Sequence, residues 1–208
     1  AVIEPFYPKV SELGGRPPIE LGKMLRIYFL QLWFNLSDPA AEEALYDSVS
    51  MRAFVGIDLG EEAVPDETTI CKFRHLLEKH KLGKSLLMAV NQYLHENGIK
   101  ISRGTIVDAT IISAPSSTKN KDGKRDPEMH QTAKGQQWYF GMKAHVGVDS
   151  KTKLVHTVLA SAANVADRDA LPYLLHGQET RVWGDQGYQG QTAVIRAWAP
   201  QAKDFTNR

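Results

Sequence analysis

Residues 105–112 read Thr105-Ile106-Val107-Asp108-Ala109-Thr110-Ile111-Ile112, a run of β-branched and apolar side chains interrupted by one carboxylate. Such a run predicts a strand. An aspartate in the middle of a strand is disfavoured by propensity and calls for a reason. Downstream, Trp138, Phe140, Met142, Val146 and Val148 alternate with Tyr139, Lys143 and His145, residues 149–153 supply a turn, and residues 154–160 form a second strand. Together these predict a hairpin. Asp167 then caps a helix to about Leu175, Arg181-Val182-Trp183 make a short strand ending at Gly184 and Asp185, and residues 191–198 read as helical.

The order strand, hairpin, helix, strand, helix implies a mixed sheet whose last strand, reached through a helix, runs parallel to an earlier one. If that strand lies beside the first, Asp108 and Asp185 become neighbours, because adjacent strands are roughly 4.8 Å apart. Burying an ionised aspartate among Thr, Ile and Val costs several kcal/mol (order of magnitude) unless a cation or donors compensate. A bound Mg²⁺ (or Mn²⁺) is the economical explanation, since hard cations take oxygen ligands. Turn and cap roles account for Asp149 and Asp167, whereas Asp185 stands open between turn former and ligand. Gly184, Gly187 and Gly190 around it fit either a close backbone approach to a ligand or an ordinary loop.

Residues 113–137 contain almost nothing apolar. Lys119, Lys121, Lys124, Arg125, His130 and Lys134 stand there against Asp122, Asp126 and Glu128. A loop of that length inside a domain is functional or disordered. Its basic, Ser-rich composition suits a nucleic-acid backbone, with a solvated linker as the competing reading.

The first half of the chain reads differently. Leu21, Met24, Leu25, Tyr28, Leu32 and Leu36 recur at helical spacing, Asp38-Pro39 opens a helix to about Asp47, Pro65-Asp66 opens another to about Lys79, and residues 83–97 carry Leu86, Val90, Tyr93 and Leu94 inward. Thr69, Lys72, His75 and Lys79 on one polar face leave two possibilities, a helix-turn-helix DNA reader or a plain bundle. The expected division is a helical domain at 1–98 and a sheet domain at 99–208.

The net charge of +1 hides an uneven distribution. Residues 1–100 hold 11 Lys and Arg against 14 Asp and Glu, and residues 101–208 hold 14 against 10. With 42% hydrophobic and 24% charged residues, disordered and membrane classes are disfavoured. The apolar stretch 24–36 is too short and too polar to span a bilayer. One cysteine, Cys71, fits a reducing cytoplasm.

These residues carry a family resemblance. Arg16-Pro17-Pro18, Met24-Leu25-Arg26, Leu36-Ser37-Asp38 and Val64-Pro65-Asp66 through Phe73-Arg74 resemble the helical N-terminal domain of DDE-type transposases of bacterial insertion sequences. Val107-Asp108-Ala109-Thr110, residues 141–149, Ala163-Asn164-Val165-Ala166-Asp167 and Gly184-Asp185-Gln186-Gly187-Tyr188 resemble their catalytic core. The resemblance implies an α+β chain with an RNase H-like mixed sheet, incomplete at its C-terminal end. It implies two metal ions that serve DNA cleavage and strand transfer at element ends, with Asp108 bridging them and Asp185 holding one. It also implies inverted-repeat and target DNA as partners, a homodimer on DNA, a bacterial cytoplasm and nucleoid setting, and neither membrane nor small-molecule substrate.

Lys143 and His145 share a strand face by alternation and are expected as phosphate contacts. Tyr188 either stacks on a displaced base or packs. His145 with His156 lacks a third ligand at zinc spacing, which favours ordinary sheet histidines. The family's third carboxylate, a glutamate on a later helix, has no counterpart: after Asp185 the sole acid is Asp204. The chain alone is therefore expected to perform little strand transfer. The alternatives are a catalytically incomplete DNA-binding fragment that inhibits a full-length enzyme, and a hydrolytic nuclease of the same fold.

Overall fold

The computed structural model describes residues 2–10, 14–15, 17–99, 103–119, 121 and 123–206. Arg16 of the N-terminal motif and Asp122 of the basic loop lie outside them. The chain divides into two compact units, Ala1–Gln92 and Tyr93–Arg208. No described helix is long and apolar enough to cross a membrane.

The first unit is helical: α1 (Leu21–Phe34), α2 (Asp38–Asp47), α3 (Val49–Val55), α4 (Glu67–Lys79) and the larger part of α5 (Leu82–Glu96). The buried stripe of α1 is Met24, Ile27, Leu30 and Gln31. It is rotated from the expected one, leaving Leu32 59% exposed. The reason is a polar anchor. Gln31 donates to the Asp38 carboxylate at 2.8 Å, and Arg74 of α4 donates to the same carboxylate at 2.8 Å, so this stripe of α1 faces α2 and α4. Asp38 is thereby spent on Arg74 and Gln31, which hold its carboxyl below the usual carboxylate range. The α2 N-cap falls instead to Ser37, whose hydroxyl accepts from Ala40 N–H. Asp66 caps α4 by accepting from Thr69 N–H at 2.7 Å. In α5 only Leu82 is buried, while Val90 and Tyr93 are exposed rather than inward.

The second unit is built on a six-stranded mixed sheet: β1 (Gly104–Ser113), β2 (His130–Lys134), β3 (Gln137–Asp149), β4 (Val155–Ala162), β5 (Arg181–Gly184) and β6 (Lys203–Thr206). Helix α6 (Asp167–Leu174) links β4 to β5, and α7 (Thr192–Trp198) links β5 to β6. Strand β3 pairs antiparallel with β1, β2 and β4, whereas β1, β5 and β6 are parallel. The path is β4-β3-β1-β5-β6, with β2 extending the outer edge of β3. Strand β2 lies inside the stretch expected to be loop, so the irregular basic segment is shorter than 113–137. At the hand-over from β2 to β4 stands Gly141, with φ +152°, where a Cβ would come within 2.0 Å of the Ile112 carbonyl oxygen. Only glycine is accommodated at that close approach.

Val107, Val182, Leu171, Leu174, Tyr188 and Ile195 form the core between sheet and helices. This defines the two faces of the sheet. Thr105, Val107 and Ala109 point toward α6 and α7, and by alternation Ile106, Asp108 and Thr110 point away.

Candidate active site

Asp108 lies on β1 and Asp185 directly follows β5, and these two strands are neighbours in the sheet. These strands pair in parallel with Thr105 opposite Val182 and Ile106 opposite Trp183. Two residues beyond that last pair, on both chains, stand the aspartates. Asp108 lies on the face turned away from α6 and α7, and the Asp185 side chain is exposed just past the end of β5. Asp185 ends β5 and opens a 3-10 turn, Gln186–Tyr188, accepting the Gly187 N–H on Oδ1 at 2.9 Å. Asp108 accepts the N–H of Ala109 at 2.8 Å.

The expected desolvation penalty at Asp108 does not arise, because its side chain is exposed on the open face of the sheet. A cation there would need a second carboxylate, and the neighbouring strand β5 is followed by one, Asp185. The donor set fits a hard divalent ion, with two carboxylates offering oxygens beside space for substrate and solvent oxygens. Among the described residues no cluster of three or more His, Cys, Asp or Glu could hold a metal.

Lys143 and His145 do share one face, opposite Ile111 and Ala109 across β1, and it is the face of α6 rather than that of Asp108. Their partner is Asp167. Lys143 Nζ donates to Asp167 Oδ1 at 2.9 Å and to the Val165 carbonyl at 2.8 Å. His145 is fully buried, with Nε2 2.8 Å from Ser161 Oγ and Nδ1 3.9 Å from Asp167 Oδ1. Asp167 is therefore no side-chain cap: Ala166 is the N-cap of α6 and the carboxylate goes to Lys143. This ion pair is a site feature that local reading missed. The signal that could have found it is the coincidence of a lysine on a core-facing strand position with an acid at a helix start.

Tyr188 is completely buried in the core. Of the two roles left open by sequence it takes packing, since a base cannot reach it. Burial pushes its phenol well above the usual range, and the fields of Asp167, Asp108 and Asp185 add to the rise. The basic residues Lys119, Lys121, Lys124 and Arg125 are exposed in the segment after β1, and Lys134 is exposed at the end of β2. Arg125 donates to the Ser116 carbonyl at 3.0 Å and lies over the Phe140 ring, 5.4 Å from its centroid, which folds the segment against β3.

Burial lowers the imidazoles of both His145 and His156 from the ordinary 6.5, outweighing the opposing pull of Asp167 on the first and of Glu179 and Asp149 on the second. The unfolded chain then takes up these protons more readily than the folded one. Stability is full above about pH 6.5 and falls as pH drops from there toward the depressed folded values. Urea midpoints should decline from pH 7.5 to 5.5, with the decline flattened in a His145→Asn, His156→Asn variant. An identical slope in that variant would reject this assignment.

A sheet in the order β4-β3-β1-β5-β6, with β3 running against its neighbours, one aspartate within β1 and another directly after β5, defines an RNase H-like α+β core. Residues 100–205, over half of the chain, match the family described as Transposase DDE domain, and the chain belongs to that family. Residues 1–76 match a second one, Transposase domain (DUF772). Among solved structures, the piggyBac transposase synaptic complex with hairpin DNA, determined by cryo-electron microscopy, is similar at 11% identity and a TM-score of 0.45. The likeness covers 99% of this chain and 45% of that one, so the chain spans under half the length of that relative.

Proposed function

We propose that this chain carries the metal-binding heart of a transposase that cuts DNA at the ends of an insertion sequence and joins it to a target. The observation that supports the reading is the register of β1 and β5, which pairs Ile106 with Trp183, two residues ahead of Asp108 and of Asp185. In this reading the two carboxylates hold Mg²⁺ or Mn²⁺, which when bound neutralises charge at the scissile phosphate and acidifies a water. The protein's own work is positioning and charge, as befits in-line displacement at phosphorus. Asp108, on a strand paired on both sides, supplies the rigid member of the pair. Asp185, at the mouth of a turn, supplies the member that the neighbouring chain adjusts. Lys119, Lys121, Lys124, Arg125 and Lys134 meet the DNA backbone, and two copies of the chain serve two element ends.

Charged contacts of this kind carry no sequence information. Replacing Lys119, Lys121 and Lys134 by alanine is expected to weaken duplex binding uniformly across sequences and to lower the slope of log K against log salt by about one per contact removed. Fluorescence anisotropy over a salt series measures it, and an unchanged slope would move the DNA path elsewhere.

A second reading, DNA occupancy without chemistry, rests on the exposed basic residues after β1, which can meet a nucleic-acid backbone without any metal. Manganese titration, with nicking of supercoiled plasmid by the full chain, separates the two. Saturable Mn²⁺ binding and Mn²⁺-dependent nicks support the enzyme. DNA binding without either supports the second reading and overturns the first.

A further inference from the structure

Two carboxylates crowd the 3-10 turn that follows Asp185. A Cβ built on Gly187 would lie 3.1 Å from Asp185 Oδ1 and 3.2 Å from Asp167 Oδ2. The Asp167 carboxylate thus lies against the backbone of the turn at Gly187, as the Asp185 carboxylate does. Asp167 is in turn immobilised. Its other oxygen accepts from Lys143 Nζ at 2.9 Å, and that ammonium, on a side chain only 13% exposed, also binds the Val165 carbonyl just ahead of α6. Behind the pair stands fully buried His145, whose Nδ1 has no hydrogen-bond partner among the described residues and lies 3.9 Å from the same Asp167 oxygen. A half-buried ion pair tied to strand β3 is therefore packed directly against the residue whose N–H orients Asp185.

Resting on the metal-binding reading above, we propose that Asp167, clamped by Lys143, is a positioning residue that braces the 185–187 turn and keeps the Asp185 carboxylate level with Asp108. Asp167 acts through Gly187 and is not itself a ligand. Outer partners that orient metal ligands are worth about 10- to 100-fold in metal affinity.

The charges make the proposal sharp. If Lys143 and Asp167 acted only through their fields, removing the lysine cation would raise the affinity of the site for Mn²⁺, and removing the aspartate charge would lower it. A brace predicts a loss in both cases. The test titrates the full chain, free of DNA, with Mn²⁺, reading bound metal by electron paramagnetic resonance, for the parent and for Lys143→Met, Asp167→Asn, Gly187→Ala and Asp108→Asn. The expected result is about tenfold weaker binding in Lys143→Met, Asp167→Asn and Gly187→Ala. The Asp167→Asn, Gly187→Ala double variant should be no weaker than the product of the two losses and closer to either alone, because both act on one turn.

Tighter binding in Lys143→Met, unchanged binding in Asp167→Asn, or a loss in Asp167→Asn as complete as that in Asp108→Asn would each overturn it. If Lys143→Met does not fold by circular dichroism, Asp167→Asn, which keeps the shape of the side chain, and Gly187→Ala decide the matter. A parent chain without Mn²⁺ binding that Asp108→Asn removes defeats the underlying metal reading, and this proposal falls with it. Failure of the brace alone leaves the Asp108-dependent binding intact.

Discussion

Asp108→Asn is expected to weaken Mn²⁺ binding by about 100-fold or more and to remove any metal-dependent nicking. A carboxylate in contact with a cation near a protein surface contributes on the order of 4 kcal/mol per pair of unit charges at 4 Å. Asparagine keeps the shape and one oxygen but loses the charge, so a loss of roughly 3 kcal/mol, about two decades, is a conservative figure. Asp185→Asn should match it, because the two stand at equal remove from the Ile106–Trp183 pair. Neither change should disturb folding. Both side chains are exposed, and surface substitutions of this kind stay within about 0.5 kcal/mol of neutral. Calorimetric titration with Mn²⁺, run beside thermal melts, separates the outcomes. Retained binding in both single variants, with melts unchanged, would exclude the aspartate pair as the metal site.

Glu179→Ala is expected to destabilise the sheet unit by about 3 kcal/mol while leaving the aspartate pair in place. Glu179 is fully buried just ahead of β5, at the end of the sheet remote from Asp185. Its Oε1 accepts from His176 N–H at 2.6 Å and from the Thr105 hydroxyl at 3.2 Å, and its Oε2 accepts from Gly177 N–H at 2.8 Å. Thr105 is itself fully buried and lies 3.3 Å from His156 Nε2. One carboxylate thus closes the 176–179 loop and ties it to β1. Alanine strands these donors and leaves a void, and a buried donor without a partner costs about 1–3 kcal/mol. For a unit of this size the melting temperature should drop by roughly 10 °C. Glu179→Gln, which preserves most of the volume and one acceptor, should cost less than half as much. Equal melting temperatures for Glu179→Ala and the parent would show that the loop draws nothing from the carboxylate.

Most of the elements were legible locally. The Asp66 cap, the helical period of α4, the β-branched run of β1 and the alternation of β3 are short-range signals, each set by residues a few positions apart. Combined with the rule that a strand reached through a helix runs parallel, they were enough to select Asp108 and Asp185. Other features escaped because their causes are long-range. Strand β6 is four residues long and exists by pairing with β5. Strand β2, in a polar stretch, forms against β3. The stripe of α1 turned because Gln31 found Asp38 and, through it, Arg74.

The site divides in the same way. Sequence by itself determined which residues are candidates for chemistry, that Lys143 and His145 share a face, and that one aspartate sits within a strand and another just after a second strand of one mixed sheet. Alternation says which side chains of a strand travel together, and nothing in it says which face the helices will cover. Only the tertiary structure decided that Val107 turns inward and Asp108 outward, that Lys143 and His145 go to Asp167, and that Tyr188 is core. The physical reason is that a face is assigned by where the largest apolar area can be buried, here Leu171, Leu174, Tyr188 and Ile195 against Val107 and Val182, and that choice belongs to the packed sheet as a whole.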